Sequence, residues 1–280
     1  SPSCIRIRAF VSSRSRSTPF TWSGCPCVNR MYLMSYPSAR AVTTQRGRDL
    51  LKVLLHVPDE RIRVVQDRET LSLGDRTLEF IHAPWVHWPE TMFTYLKEEG
   101  VLFPCDFFGS HVAKGLYDDE VGDLLTYAQR YYGEIMMPFS MMALKALQKI
   151  KDLGINIIAP SHGPVYRHPE RIIDAYKKWV EGETRNKALV VYVTMWRSTE
   201  KMVQPIVDTL ASEGIEVALY NLTVADIGDL AKDLVDSKAI VLAAPTVLAG
   251  AHPLGVYATY LVKALKPPLK YGVVLSSYGW

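Results

Sequence analysis

The sequence predicts an α/β protein made of two successive parts, a mixed strand-and-helix sandwich followed by a parallel sheet covered with helices. Three observations carry this. Residues 37–183 mix short, turn-punctuated strands with helical segments. Residues 187–280 alternate strand and helix regularly, and their strands are almost continuously apolar, which is the mark of parallel strands buried on both faces. The composition, 48% hydrophobic and 22% charged over 280 residues, is that of a globular protein long enough for two domains.

In the first part, "ARAVTT" reads as a strand and "QRGRDLLKVLL" as a helix. "RIRVVQ", "ETLSLG" and "RTLEFIHAP" are short strands set off by turn residues. "GVLFPCD" is the next strand, after the 87–98 region. Helices are expected over 118–135 and, past Pro138, over 139–153. "INIIAP" is a short apolar strand running into "SHGPVY". His168-Pro169 then opens an amphipathic helix reaching about Glu183. The polar stretch "EGETRNK", residues 181–187, is the expected linker. In the second part, strands at "ALVVYV", "IEVALYN", "AIVLAAP" and "YGVVLSS" alternate with helices over 198–213, 226–236 and 254–265. Four strands are expected, with the last loop ending where a further helix would begin, so this sheet reads as truncated.

Charge is unevenly spread. Residues 1–50 hold eight Arg, no Lys and one acid, Asp49, giving about +7; since the whole chain carries +3, the remainder carries about −4. Nothing in that balance calls for a nucleic acid, and no apolar run is long enough to span a bilayer. Residues 1–36 read as an atypical Arg/Ser-rich segment. "SSRSRST" is similar to an organellar transit peptide, and because the chain starts at Ser its true beginning is expected upstream. Cys4, Cys25 and Cys27 lie there, far from Cys105, so a disulfide framework is the weaker reading.

The loop after the first strand of the second part, Thr194-Met195-Trp196-Arg197-Ser198-Thr199, has the chemistry of an anion site. It lies at the carboxyl end of a parallel strand, where ligands of α/β sheets bind. A helix starts immediately afterwards, offering free N–H groups and the positive end of its dipole. The hydroxyls of Thr194, Ser198 and Thr199 add donors. Neither a G-x-G-x-x-G nor a phosphate-loop lysine is present, so a flavodoxin-like grip on the FMN phosphate is the expected use. The competing reading is a simple helix cap by Ser198. The loops "APTVLAGAHP" (244–253) and "SSYGW" (276–280) end the third and fourth strands. They place Pro245, Thr246, Val247, Leu248, Ala249 and Gly250, and Ser277, Tyr278, Gly279 and Trp280, around the expected flavin ring. Tyr278 and Trp280 are suited to stack on it.

"TMWRSTEKM", "APTVLAGAHP" and "SSYGW", in this order, resemble the three FMN loops of the flavodiiron proteins, or A-type flavoproteins. "APWVHWPETMFTYL", "LFPCDFFGSH" and "APSHGPVYR" resemble the same family's metallo-β-lactamase-like domain. The resemblance covers roughly residues 37–280. It implies a partial metallo-β-lactamase-like αββα sandwich over 37–183 and a truncated flavodoxin-like doubly wound sheet over 187–280. By function it implies a soluble, cytoplasmic oxidoreductase that reduces O2 to water or NO to N2O. Electrons would come from a rubredoxin-like donor through FMN to a non-haem di-iron site, within a head-to-tail homodimer.

The resemblance also carries over three metal ligands: His87, Asp106 as the bridge, and His162. Imidazole and carboxylate suit non-haem iron. The family's H-x-E-x-D-H motif, followed by Ser-Gly, is absent. The best register sets "WSG" at 22–24 over its end and supplies none of the needed His, Glu or Asp. Two irons would then share Asp106 and hold one histidine each. The expected protein is thus an incomplete and inactive member. The alternative is a non-catalytic FMN-binding electron-transfer module with the first part as scaffold. A zinc hydrolase is disfavoured, since it needs the same missing motif.

Overall fold

The computed structural model describes residues 40–278, which fall into two compact units divided after Asp67. In the first unit, β1 (Ala41–Thr43) pairs in parallel with β2 (Ile62–Val64), and α1 (Gln45–Leu55) makes the crossover. Thr44 is the helix cap: its side chain accepts the Gly47 N–H at 3.1 Å. Ala41 and Val57 are its buried core, with Leu51, Leu55 and Ile62 packed on them.

The second unit contains two five-stranded sheets. The first has the order β3 (Thr70–Ser72), β4 (Thr77–His82), β5 (Met92–Leu96), β6 (Val101–Phe103), β7 (Ile157–Ile158). It is antiparallel as far as β6 and parallel between β6 and β7. The strand β5 lies within the 87–98 region, where no strand was expected. Its residues Met92 to Tyr95 are all buried, so it lacks the alternation that betrays a strand.

The expected helix over 118–135 is broken up. Asp118–Glu120 is a 3-10 turn, α2 runs from Leu124 to Tyr131, and Tyr132–Met136 is a π-helical turn. A second 3-10 turn, Met137–Phe139, leads into α3 (Ser140–Ile150). Pro138 lacks the N–H that would bond back to the Glu134 carbonyl, which is why the helix loses its regular period here. Asp118 is freed for another task. Its buried carboxylate accepts the N–H groups of Arg167 (2.9 Å) and His168 (3.3 Å) at the start of α4 (Pro169–Glu181).

In the second sheet, β8 (Lys187–Tyr192), β9 (Glu216–Asn221), β10 (Ala239–Val247) and β12 (Tyr271–Ser277) are all parallel, in the spatial order β9-β8-β10-β12. That is the flavodoxin-like order. Helices α5 (Ser198–Ser212), α6 (Ile227–Leu234) and α7 (Pro253–Leu265) connect the strands. A short β11 (Gly250–Ala251) folds back antiparallel on β10. Beside α7 lies a cavity of about 350 Å³ walled by apolar side chains such as Val191, Leu242, Val256 and Val274.

The two sheets share one hydrophobic core, running from Ile81 and Phe93 through Tyr131 and Tyr132 to Leu189, Leu230 and Leu234. The π-turn packs on α6 so closely that a Cβ on Gly133 would sit 2.4 Å from the Ala231 carbonyl oxygen. Beside it, the Arg130 guanidinium donates to Glu134 (3.0 Å) and to Asp226 (3.0 Å), the cap of α6. Gly133→Ala is therefore expected to force the helices apart and to cost ~1–3 kcal/mol, as overpacking does, measured as a lower urea midpoint. An unchanged midpoint would show that this contact yields freely.

Candidate functional site

Strand directions explain why three distant residues meet. β4 and β6 both run antiparallel to β5, and β7 runs parallel to β6. The loops after β4, β6 and β7 therefore leave from one end of the sheet. These loops carry His87, Asp106 and His162. His87 Nε2 lies 3.3 Å from Asp106 Oδ2, and His162 Nε2 lies 3.4 Å from Asp106 Oδ1.

The loops are tied to each other and to the core. Ser161 N–H donates to the Cys105 carbonyl at 2.7 Å, and Ser110 N–H to the His162 carbonyl at 3.2 Å. Tyr166 donates its hydroxyl to the Phe108 carbonyl at 2.9 Å. Cys105 and Phe108 hold left-handed backbone, with φ of 56° and 66°. Such conformations cost non-glycine residues energy and persist only where the surroundings enforce them. Here a buried aromatic cluster does so: Phe107 packs on Phe93, Phe108 and Tyr176 with ring centroids 4.4–5.5 Å apart.

Asp106 is 4% exposed. Burial works against its charge, but the contacts with His162 and then His87 outweigh it and hold the carboxyl at about 2. The same contact raises His162 above the ordinary histidine value, against its own burial. Asp106 Oδ1 is nonetheless buried with no directed hydrogen bond, so the imidazoles serve it as charge partners. A buried carboxylate oxygen with no donor, flanked by two imidazoles, is chemistry that a cation satisfies.

The set fits part of a two-cation site and does not complete one. Among the described residues, no group of three or more His, Cys, Asp and Glu side chains is arranged to hold a metal ion. The sequence has no histidine before His56. His111, which is not one of the three carried-over ligands, stands beside the pocket. Its ring is 6.0 Å from that of His162 and 4.7 Å from that of Tyr131, and its Nδ1 is 3.6 Å from Glu134. It faces Glu134 rather than Asp106. Tyr131, 6.1 Å from His162, is the pocket residue that sequence reasoning missed. Its only signal was its place in a helix, which reads equally as core.

At the other site, the end of β8 sits beside β10, and β10 beside β12, so the three candidate cofactor loops share one edge. Helix α5 begins at Ser198, so Ser198 is its first turn and not its cap. The cap position is Arg197, in left-handed backbone (φ 65°), whose side chain makes no capping bond to the helix backbone. Placing a non-glycine residue there costs ~1–2 kcal/mol. The first helical bond is Lys201 N–H to the Arg197 carbonyl. The N–H groups of Ser198, Thr199 and Glu200 find no acceptor among the described residues. Thr199 is fully buried, and its hydroxyl lies 3.2 Å from Ser277; that of Ser198 lies 3.3 Å from the same group. Thr194 Oγ1 is buried without a partner among the described residues.

The expected loop 245–250 is partly regular. Pro245, Thr246 and Val247 belong to β10, and Gly250 to β11. Leu248 and Ala249 form the hairpin turn, with φ of 48° and 62°. Past Ala243, β10 has lost β8 as a neighbour, so Pro245 interrupts no ladder on that side. Met195, Trp196, Leu248 and Tyr278 are exposed.

Known proteins resemble this chain over most of its length. Residues 25–163 match the ODP family beta lactamase description. A nitric oxide reductase of Moorella thermoacetica is 41% identical over 250 residues, covering 87% of this chain and 63% of that protein. The rubredoxin oxygen:oxidoreductase of Desulfovibrio gigas superposes with a TM-score of 0.87 at 27% identity, over 91% of this chain and 65% of the other. The flavodiiron protein of Giardia intestinalis superposes with a TM-score of 0.86 at 29% identity, over 90% and 64%. The chain belongs to the flavodiiron protein family.

Its fold is that of solved flavodiiron proteins, with a lactamase-like first part. Membership implies a flavin and a di-iron pair as the family's general cofactors. The chain spans about two thirds or less of the length of these flavodiiron relatives. Of the residues tied to the resemblance, Gly279, Trp280 and the "WSG" window lie outside the described residues, as do Cys4, Cys25 and Cys27. No helix among the described residues is long and apolar enough to cross a membrane.

Proposed function

We propose that this chain is a flavodiiron-type oxidoreductase whose most complete working part is an FMN site at the ends of β8, β10 and β12. The observation that carries the reading is the uncapped start of α5. Three N–H groups stand open at the positive end of a helix dipole, beside the hydroxyls of Ser198 and Thr199 and the unpartnered Thr194. A simple cap by Ser198 does not describe this geometry. The isoalloxazine ring would lie against 245–250 and 277–280, with Tyr278, Gly279 and Trp280 at its edge.

In this reading residues 187–280 are the flavodoxin-like part, 37–183 the lactamase-like part and 1–36 a separate segment. Electrons reach FMN from a rubredoxin-like donor in the cytoplasm and serve the reduction of O2 or NO, in a head-to-tail homodimer. His87, Asp106 and His162 are the ligands this chain offers to iron. They are too few for two cations, and no step is assigned to such a centre.

That shortage favours the second reading, an FMN-binding electron-transfer module. Flavin titration and iron analysis of the purified chain decide. The module reading expects FMN bound one per chain and no stoichiometric iron. Iron near two per chain would restore the reductase reading, and a chain that binds no FMN would refute both.

A further inference from the structure

Arg197 occupies a position that would be easier for glycine, and it contributes no cap to the helix it begins. Its Nε donates to Glu200 Oε2 at 3.0 Å, and its terminal amines have no partner among the described residues. The pair is open to solvent, with side chains 78% and 38% exposed. Ion pairs of this kind are weak and exchange easily. Among the described residues Glu200 is the only one this guanidinium holds, and it sits in the same first helical turn whose N–H groups stand open.

We infer that Arg197 is a specificity-determining residue of the flavin site, held by Glu200 in the ligand-free chain and transferred to the dianionic phosphate monoester of the cofactor. The inference rests on the FMN reading above. A phosphate monoester brings nearly two negative charges and three acceptor oxygens to the helix start, and the guanidinium fork matches it bidentately. A single carboxylate is the weaker partner for that fork. Riboflavin carries no phosphate and has nothing with which to displace Glu200. Glu200 thus acts as an internal competitor, and the Arg197–Glu200 pair discriminates phosphorylated from neutral flavin.

The test is fluorescence titration of the full 280-residue chain with FMN and with riboflavin. Arg197→Asn keeps a residue that tolerates left-handed backbone and removes the charge. It is expected to weaken FMN about tenfold, one charge-assisted hydrogen bond's worth, and to flatten the salt dependence of Kd. Riboflavin should change by less than about twofold, since no charge contact is lost. Glu200→Gln is expected to tighten FMN about threefold, as removal of a weak competitor would. Arg197→Gly relaxes the backbone and also removes the charge. It should weaken FMN, whereas a merely structural role for Arg197 predicts tighter binding. Unchanged FMN affinity in Arg197→Asn, or equal losses for FMN and riboflavin, would overturn the inference while leaving the flavin site standing. Failure of the parent chain to bind FMN would remove the site itself, and the inference with it.

Discussion

Lys187→Met is expected to remove ~3–5 kcal/mol of stability, the loss typical of breaking a buried ion pair from one side. Lys187 opens β8 and is 4% exposed. Its ammonium lies 2.9 Å from Asp233 and 3.0 Å from Asp236, at and just beyond the end of α6. Both carboxylates are largely buried, and Tyr220 also donates its hydroxyl to Asp233 at 2.5 Å. Lys187 is the one fully buried cation that both acids share; Lys232 reaches Asp233 only at 3.9 Å and Arg185 reaches Asp236 only at 3.6 Å, each from a more exposed position. Methionine preserves the stem but leaves two negative charges facing each other out of water. Urea unfolding of parent and variant measures the loss, which is large against the ~5–15 kcal/mol that holds a domain together. The triple variant with Asp233→Leu and Asp236→Leu is expected to recover much of it. A single variant within ~0.5 kcal/mol of the parent, the range of ordinary surface changes, would show that the charges are solvated after all.

Phe107→Ala should cost ~3–5 kcal/mol, the range for deleting a buried aromatic ring. Phe107 is fully buried and touches Phe93, Phe108 and Tyr176. It also follows Asp106 directly, between two left-handed residues, Cys105 and Phe108. The cavity would therefore open where the backbone is least able to hold itself. Beyond the global loss, faster amide exchange is expected at Ser110 and Ser161, whose N–H groups bind the His162 and Cys105 carbonyls. Phe107→Leu, nearer in volume, should cost less than ~1.5 kcal/mol. A global loss with unchanged exchange at these amides would separate the aromatic cluster from the positioning of Asp106.

The candidate pocket was legible as three residues and one gap: the motifs named His87, Asp106 and His162 and showed H-x-E-x-D-H to be missing. The structure brings those three together, because β4, β6 and β7 send their loops to one end of the sheet. Tyr131 was not found, because a tyrosine in a helix carries no signal of its own, and His111 lay outside the three carried-over ligands. Their place beside His162 is set by tertiary packing, which no local pattern encodes. The strand β5 was missed for a related reason: burial of successive residues on both faces erases the alternation on which a strand is read.

The sequence by itself determined what depends on local chemistry. Apolar runs with regular helices between them specify a parallel sheet, and the order of the loop motifs indicates the family. Tertiary structure alone decided whatever depends on neighbours distant in the chain. Pro245 continues a strand because β8 no longer borders it. The helix over 118–135 breaks, and Asp118 instead serves the start of α4. Ser198 became the first turn of α5, and Arg197 took a left-handed cap position that its side chain does not favour. A local pattern records what a residue prefers; the fold sets the backbone it must adopt, and at Arg197 the two differ.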